Sequence, residues 1–345
     1  MKKFSIVLIA VFLMFPAMAS AVGNPVSQTV TISGPNKVVD ENTVTLTATV
    51  TQTMDDGTAV PQQTNVNFWS SSDSVNWSFL GTVPSDNNGN AIISFAPRTT
   101  VTVKATVDGF GSVPGVESSL FNVENLPPRA PVDLPRGAPN PRVGVPVQPR
   151  ADGPGANAVI SRIPNDVWSN MRGRSWHRGC PVGRRALRMI KVNYYGYDGY
   201  RYRGELIANR RVAHKVANTF SYFHNVQFPV RSIVRPDYFG WSRRVKGADD
   251  YASMEAGNTY LFNCRWVVGR PGVRSPHSWG RSLDLNTWEN PYYSRQDGWV
   301  PNSWWVYRDI GWLTPRSREA WLVQTMRQLG WSWTYGMSDM QHFEG

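Results

Sequence analysis

A run of prolines near the middle of the chain limits its fold more than any other feature. Leu126 to Gly155 hold nine of the chain's 25 prolines, with glycines between them. Proline lacks the N–H that a helix or a sheet ladder needs. The run therefore excludes a regular element and reads as a semi-rigid spacer. A chain of 345 residues is thereby cut into two parts, each long enough to bury its own core. The expected boundaries are 24–125 for a first domain, 126–157 for the spacer and 158–345 for a second domain.

The two parts are patterned differently. In the first, Thr43 to Val50 alternate polar and apolar residues at period two, and Ala91 to Phe95 and Thr100 to Val107 are further apolar or β-branched runs. Asp55-Asp56-Gly57 and Asn87-Asn88-Gly89 supply turn chemistry between them. Many short strands with few helical signals predict an all-β sandwich, and the stretch from Ser85 to Phe95 resembles bacterial immunoglobulin-like domains. This part has no cysteine and no catalytic constellation, which leaves a wall-binding module or a passive stalk. In the second part, helical spacing over Glu205–Phe223 and Ser317–Leu329 alternates with strand-like runs at Met189–Val192 and Leu283–Leu285, an α+β pattern.

The N-terminus reads as an export signal over residues 1–21. Lys2 and Lys3 precede the apolar run Ile6 to Phe15, and Ala19-Ser20-Ala21 offer a cleavage site. The apolar run is short for a membrane span; an uncleaved anchoring helix is the other reading. No later stretch is apolar enough to span. The expected mature chain is secreted or cell-wall associated, with no membrane contact after cleavage. Its formal charge falls from +11 to +9 (11 − 2). Outside the cytoplasm that balance favours anionic wall polymers as partners. No clustered run of Lys or Arg and no recognised motif supports nucleic acid. The two cysteines, Cys180 and Cys264, are compatible with one disulfide or with two buried thiols.

Of five histidines, three have no accompanying carboxylate motif. His214 and His224 fall on or just after the first helical run, and His177 lies in a loop, so all three read as structural. His277 and His342 differ. His277 precedes Asp284 by seven residues, with Gly280 between them to turn the chain, and Asp284 stands between Leu283 and Leu285. Asp339 stands three residues before His342, a spacing that puts both on one side of a turn or helical arc. Zinc takes imidazole nitrogen and carboxylate oxygen, and a catalytic site keeps a fourth position open. A further carboxylate outside the ligand set is needed to move protons. His277, Asp284 and His342 suit the first role and Asp339 the second.

"SPHSWGRSLDLN" and "SDMQHFEG" together resemble the zinc D-alanyl-D-alanine carboxypeptidases and L-alanyl-D-glutamate endopeptidases. The blocks "SWHRGCPV", "GELIANRRVA", "FPVRSI", "NTYLFNCR" and "NPYY" are similar to the branch found in secreted wall hydrolases, and the resemblance covers roughly Ile160 to Gly345. It implies a hedgehog/D-Ala-D-Ala-peptidase-like α+β fold, one zinc ion on His277, Asp284 and His342, and Asp339 as general base. By position it also implies that Arg265 holds the substrate carbonyl and its oxyanion and that Ser275 lies near the substrate backbone. Ser282 stands where alanine is common, and it supplies no ligand. Aromatic faces stack on sugars, though most tryptophans are core; Trp279, inside the ligand loop, is the one expected near substrate. The implied activity is hydrolysis of peptidoglycan stem peptides, tilted toward the L-Ala–D-Glu bond. A D-alanyl-D-alanine carboxypeptidase and a non-catalytic wall-binding protein are the alternatives.

Overall fold

The computed structural model describes residues 23–345, which divide after Leu126 into two compact units. The expected export signal lies outside the described residues.

The first unit is built around the strand Val44–Met54, whose alternate residues Val44, Leu46, Ala48 and Val50 are buried. It pairs antiparallel with Pro25–Ser33 along one edge and with Asn90–Phe95 and Ala59–Pro61 along the other. A second sheet is centred on the antiparallel strands Asn65–Ser71 and Val101–Val107. Ser78–Pro84, Phe121–Leu126 and the short parallel strand Lys37–Val39 extend it. Leu46 and Val50 from one sheet meet Phe68 and Val103 from the other in a single core. Full burial of a side chain like Phe68 contributes about 1.5–3 kcal/mol. The turn through Gly89 admits no side chain, because a Cβ there would lie 2.3 Å from the Val50 carbonyl oxygen.

In the second unit, strands Val159–Ser161, Leu187–Tyr195 and Arg201–Asn209 form an antiparallel sheet. The helix Ala213–Asn225 packs Val216, Phe220 and Phe223 into the main core of this unit. The helical run expected over Glu205–Phe223 is thus helix from Ala213 onward, while its first five residues belong to the strand. Leu206, Ile207 and Ala208 are buried in succession, and a strand covered on both faces loses the period of two that would have marked it. Only Trp321–Gln328 of the second helical run is helix.

The ordered edge of this sheet leads to the site. The Phe262 N–H donates to the Ile207 carbonyl, Tyr260 bridges Asp284, and Ser282–Asp284 pairs with His342–Glu344. The proline-rich segment does not stand away from this unit. Prolines cannot donate but their carbonyls accept, so Arg203 N–H bonds to Pro149 and the Trp288 indole to Pro139, while Ala151 N–H donates to Arg201. Cys180 and Cys264 are disulfide-bonded, with Cα atoms 5.9 Å apart, which settles the two readings of the pair. Among the described residues no helix is long and apolar enough to cross a membrane.

Candidate metal centre

Local sequence positions each of the three candidate ligands before the tertiary fold joins them. His277 lies in the 3-10 turn Pro276–Trp279, capped by Ser275, whose hydroxyl accepts from the His277 N–H at 3.3 Å. The turn closes on Gly280 in the left-handed region at φ 68°, where a side chain is strained. The chain then returns as Ser282–Asp284. In that ribbon Asp284 stands directly opposite His342, and directly opposed residues place their side chains on one face.

All three side chains are buried, and their donor atoms form a small triangle. His277 Nε2 is 3.1 Å from Asp284 Oδ2 and 3.1 Å from His342 Nδ1, which is 3.1 Å from Asp284 Oδ1. Tetrahedral zinc with bonds of about 2.0–2.1 Å spaces its ligands about 3.3 Å apart, within a few tenths of these edges. The tautomers point the same way. His277 Nδ1 lies 2.7 Å from the Leu261 carbonyl and must donate to it. That leaves the Nε2 lone pair facing carboxylate oxygen, an arrangement that needs a positive charge between them. Burial opposes the charge on His342, but Asp284 and Glu344 push its pKa up to about 10. Burial likewise raises Asp284, yet His277 and His342 hold it well below the usual carboxylate range.

The triangle opens into a cavity of about 480 Å³ that Asp339, Arg265 and Ser275 also line. Asp339 and His342 flank a turn closed by the His342 N–H to the Asp339 carbonyl at 3.3 Å, so the three-residue spacing puts both at the cavity. Asp339 Oδ1 is buried without a hydrogen-bond partner. Burial and then Asp284 push its pKa up to about 8, against the pull of His342 and Arg265. Arg265 is buried and ion-paired with Asp250 at 2.7 Å, and it donates to the Tyr260 hydroxyl at 2.9 Å and the Trp266 carbonyl at 3.0 Å. Its Nε–H has no partner. Beneath the rim, three carboxyl groups, Asp250, Asp284 and Asp339, stand with the guanidinium of Arg265, an excess of acidic groups that suits a divalent cation. The donor set and its charge fit such an ion.

Trp279 does not join this group: it is 40% exposed and is absent from the cavity lining. In a turn of three residues per revolution, positions two apart diverge, so the bend that faces His277 inward turns Trp279 out. Ser275 lines the cavity, but its hydroxyl oxygen is engaged in capping. His177 lies beside the disulfide, with Nε2 3.1 Å from the Cys264 carbonyl.

Three site residues escaped the sequence reading. The Tyr260 hydroxyl lies 2.6 Å from Asp250 Oδ1 and 3.0 Å from Asp284 Oδ2, and Gln341 donates to Asp284 Oδ2 at 3.2 Å. The one available signal was Asp249-Asp250 ahead of the helix Asp250–Glu255. Asp249 caps that helix, which leaves Asp250 as a buried carboxylate that capping does not explain.

A family model described as D-alanyl-D-alanine carboxypeptidase matches residues 268–345. That span contains His277, Asp284, Asp339 and His342 and begins three residues after Arg265. It supports the family resemblance of the C-terminal part and points to a peptidase of carboxypeptidase type acting on peptidoglycan. No curated protein matches the chain. Among solved structures, the chain is similar to the CARDB domain of a Pyrococcus furiosus protein, with 22% identity over 29% of this chain and 87% of that one and a TM-score of 0.21. It is also similar to a beta-glucosidase from Listeria innocua, with 10% identity over 28% of this chain and 16% of that one and a TM-score of 0.18. Neither likeness bears on the functional reading.

Proposed function

We propose that the chain is an exported zinc peptidase that hydrolyses peptidoglycan stem peptides, cutting the L-Ala–D-Glu bond. The observation that carries this reading is the buried His277–Asp284–His342 triangle, opening into one cavity with an unpartnered carboxylate oxygen on Asp339 and a buried guanidinium on Arg265. Held by these three residues, zinc would supply Lewis-acid polarisation of a peptide carbonyl and acidification of water.

The chain's own residues perform the remaining work. Asp339 takes the proton from the attacking water and returns it to the leaving amine, a role suited to a carboxyl whose pKa lies near the working pH. Arg265 is held by Asp250, Tyr260 and the Trp266 carbonyl, and from its place in the cavity lining its guanidinium would stabilise the negative oxygen that develops on the carbonyl. Leu261 and Gln341 orient His277 and Asp284. At the rim, Arg270 and Arg295 are exposed cations lining the cavity, which suits a stem peptide with free carboxylates.

The test is incubation with purified peptidoglycan, with zinc or with chelator, and product analysis by mass spectrometry. Chelator-sensitive release of new L-Ala and D-Glu termini is expected. Free D-Ala alone would make the enzyme a carboxypeptidase on the same metal set. No product from walls of several chemotypes would overturn the catalytic reading.

A further inference from the structure

At one end of the three-stranded sheet, remote in sequence from the metal ligands, a cleft has six lining residues, and five are arginines: Arg162, Arg184, Arg185, Arg188 and Arg210, with Ile163. Arg162 follows the strand Val159–Ser161, Arg184 and Arg185 sit in the 3-10 turn Arg184–Ala186, Arg188 is the second residue of Leu187–Tyr195, and Arg210 follows Arg201–Asn209. Pairing draws them together: Ser161 stands opposite Met189, Leu187 opposite Asn209, and the Arg210 N–H donates to the Ala186 carbonyl.

Among the described residues no carboxylate forms an ion pair with any of the five. Two are fixed without being neutralised. Arg184 donates to the Ile163 carbonyl at 2.5 Å and to Asn165 Oδ1 at 2.7 Å, and lies over the Trp168 ring. Arg188 donates to the carbonyls of Leu187 and Arg185 at 2.8 and 3.2 Å. Arg162, Arg185 and Arg210 are exposed. Converging like charges repel, and an arrangement that fixes two of them on neutral acceptors keeps their charge for an external anion. Guanidinium forks match phosphate oxygens bidentately. Five of them across a cleft of about 600 Å³ offer several phosphate positions rather than one. No aromatic ring lines the cleft, so it lacks the stacking platform that single-stranded nucleic acid uses.

We propose that this arginine cleft binds a phosphate-bearing polyanion that has no stacking bases, through residues other than those of the peptidase site. Bound there, such a polymer would hold the second unit on a phosphate-bearing surface.

The test uses the full chain and long-chain inorganic polyphosphate as probe, with affinity measured between about 50 and 200 mM salt. The variant Arg162→Glu/Arg185→Glu/Arg210→Glu should weaken binding at least about tenfold and flatten the salt dependence by roughly one unit of slope per lost contact. Arg243→Glu/Arg318→Glu/Arg327→Glu, three exposed arginines outside the cleft with the same change in net charge, should weaken it less than about threefold. Equal losses would overturn the site in favour of overall charge. Tighter binding of a single-stranded oligonucleotide of equal charge would overturn the ligand class. In the unaltered protein, polyphosphate should protect Arg162, Arg185 and Arg210 from an arginine-specific dicarbonyl reagent more than it protects Arg243. Uniform protection, or none, overturns the proposal even if a variant fails to fold.

Discussion

Replacing Asp339 by asparagine should stabilise the metal-free protein while removing its activity. The carboxyl has a folded-state pKa of about 8 against 3.8 for the free side chain, chiefly because it is buried. A raised carboxyl binds its proton more tightly in the native state than in the unfolded one. Between about pH 4 and pH 8 the native state therefore carries more protons, and this group's contribution to stability falls as pH rises through that window. At pH 7 the gap is about three pKa units, and each unit corresponds to about 1.4 kcal/mol. Coupling to His342 and the solvent that reaches the cavity reduce this to on the order of 2 kcal/mol. An asparagine at this position would keep the volume and lose the charge. The Asp339→Asn protein should thus gain about that much in chelator, or roughly 4–8 °C for a unit of this size at 2–4 °C per kcal/mol, and its stability should vary less between pH 5 and 8. Loss of a general base lowers turnover by about 10²–10⁴, with zinc content unchanged. Parallel denaturant titrations at several pH values and stem-peptide assays measure both. Turnover within a few-fold of the parent would refute the assigned base. A variant less stable than the parent at pH 7, with the same pH slope, would refute the buried-carboxylate argument itself.

Three further outcomes follow from the same geometry. His277→Ala or His342→Ala should purify without stoichiometric zinc by elemental analysis, because two ligands leave the ion exposed to exchange; full occupancy would refute the ligand set. Asp250→Ala should leave the Arg265 guanidinium buried and unpaired, a loss of about 3–5 kcal/mol readable as a lower denaturant midpoint, and an unchanged midpoint would show that the pair does not hold Arg265. Replacing both Cys180 and Cys264 by serine should remove up to about 4–5 kcal/mol, since their sequence separation of 84 closes a long loop; equal midpoints for the two proteins would show that the loop is already constrained when unfolded.

What was legible in the sequence, and what was not, divides by the range over which each interaction acts. The His277 turn could be read because Ser275, Pro276 and Gly280 fix it within six residues. Asp284 stood out because a carboxylate between two leucines in a strand must either meet water or enter a polar site. The proline-rich segment was legible as a break but not as a packed layer, because the carbonyl acceptors that hold it on Arg203 and Trp288 leave no mark in a residue pattern. The same is true of the arginine cleft. Arg162, Arg188 and Arg210 are inconspicuous along the chain, and strand register alone makes them neighbours.

The Asp250–Arg265–Tyr260 cluster shows why the limit is physical. A metal ligand is constrained by its own chemistry, since few side chains can bind zinc and their spacing must bring donor atoms within a few ångströms. The residue that neutralises a buried guanidinium is constrained only by where the fold delivers a carboxylate. Asp250 comes from a helix start 15 residues before Arg265, and Tyr260 touches both Asp250 and Asp284 through one hydroxyl. That single oxygen couples the charge holding Arg265 to the carboxylate in the ligand triangle. The two halves of the site, one legible from residue types and one not, are therefore parts of a single hydrogen-bonded network, and a change in either should be felt in the other.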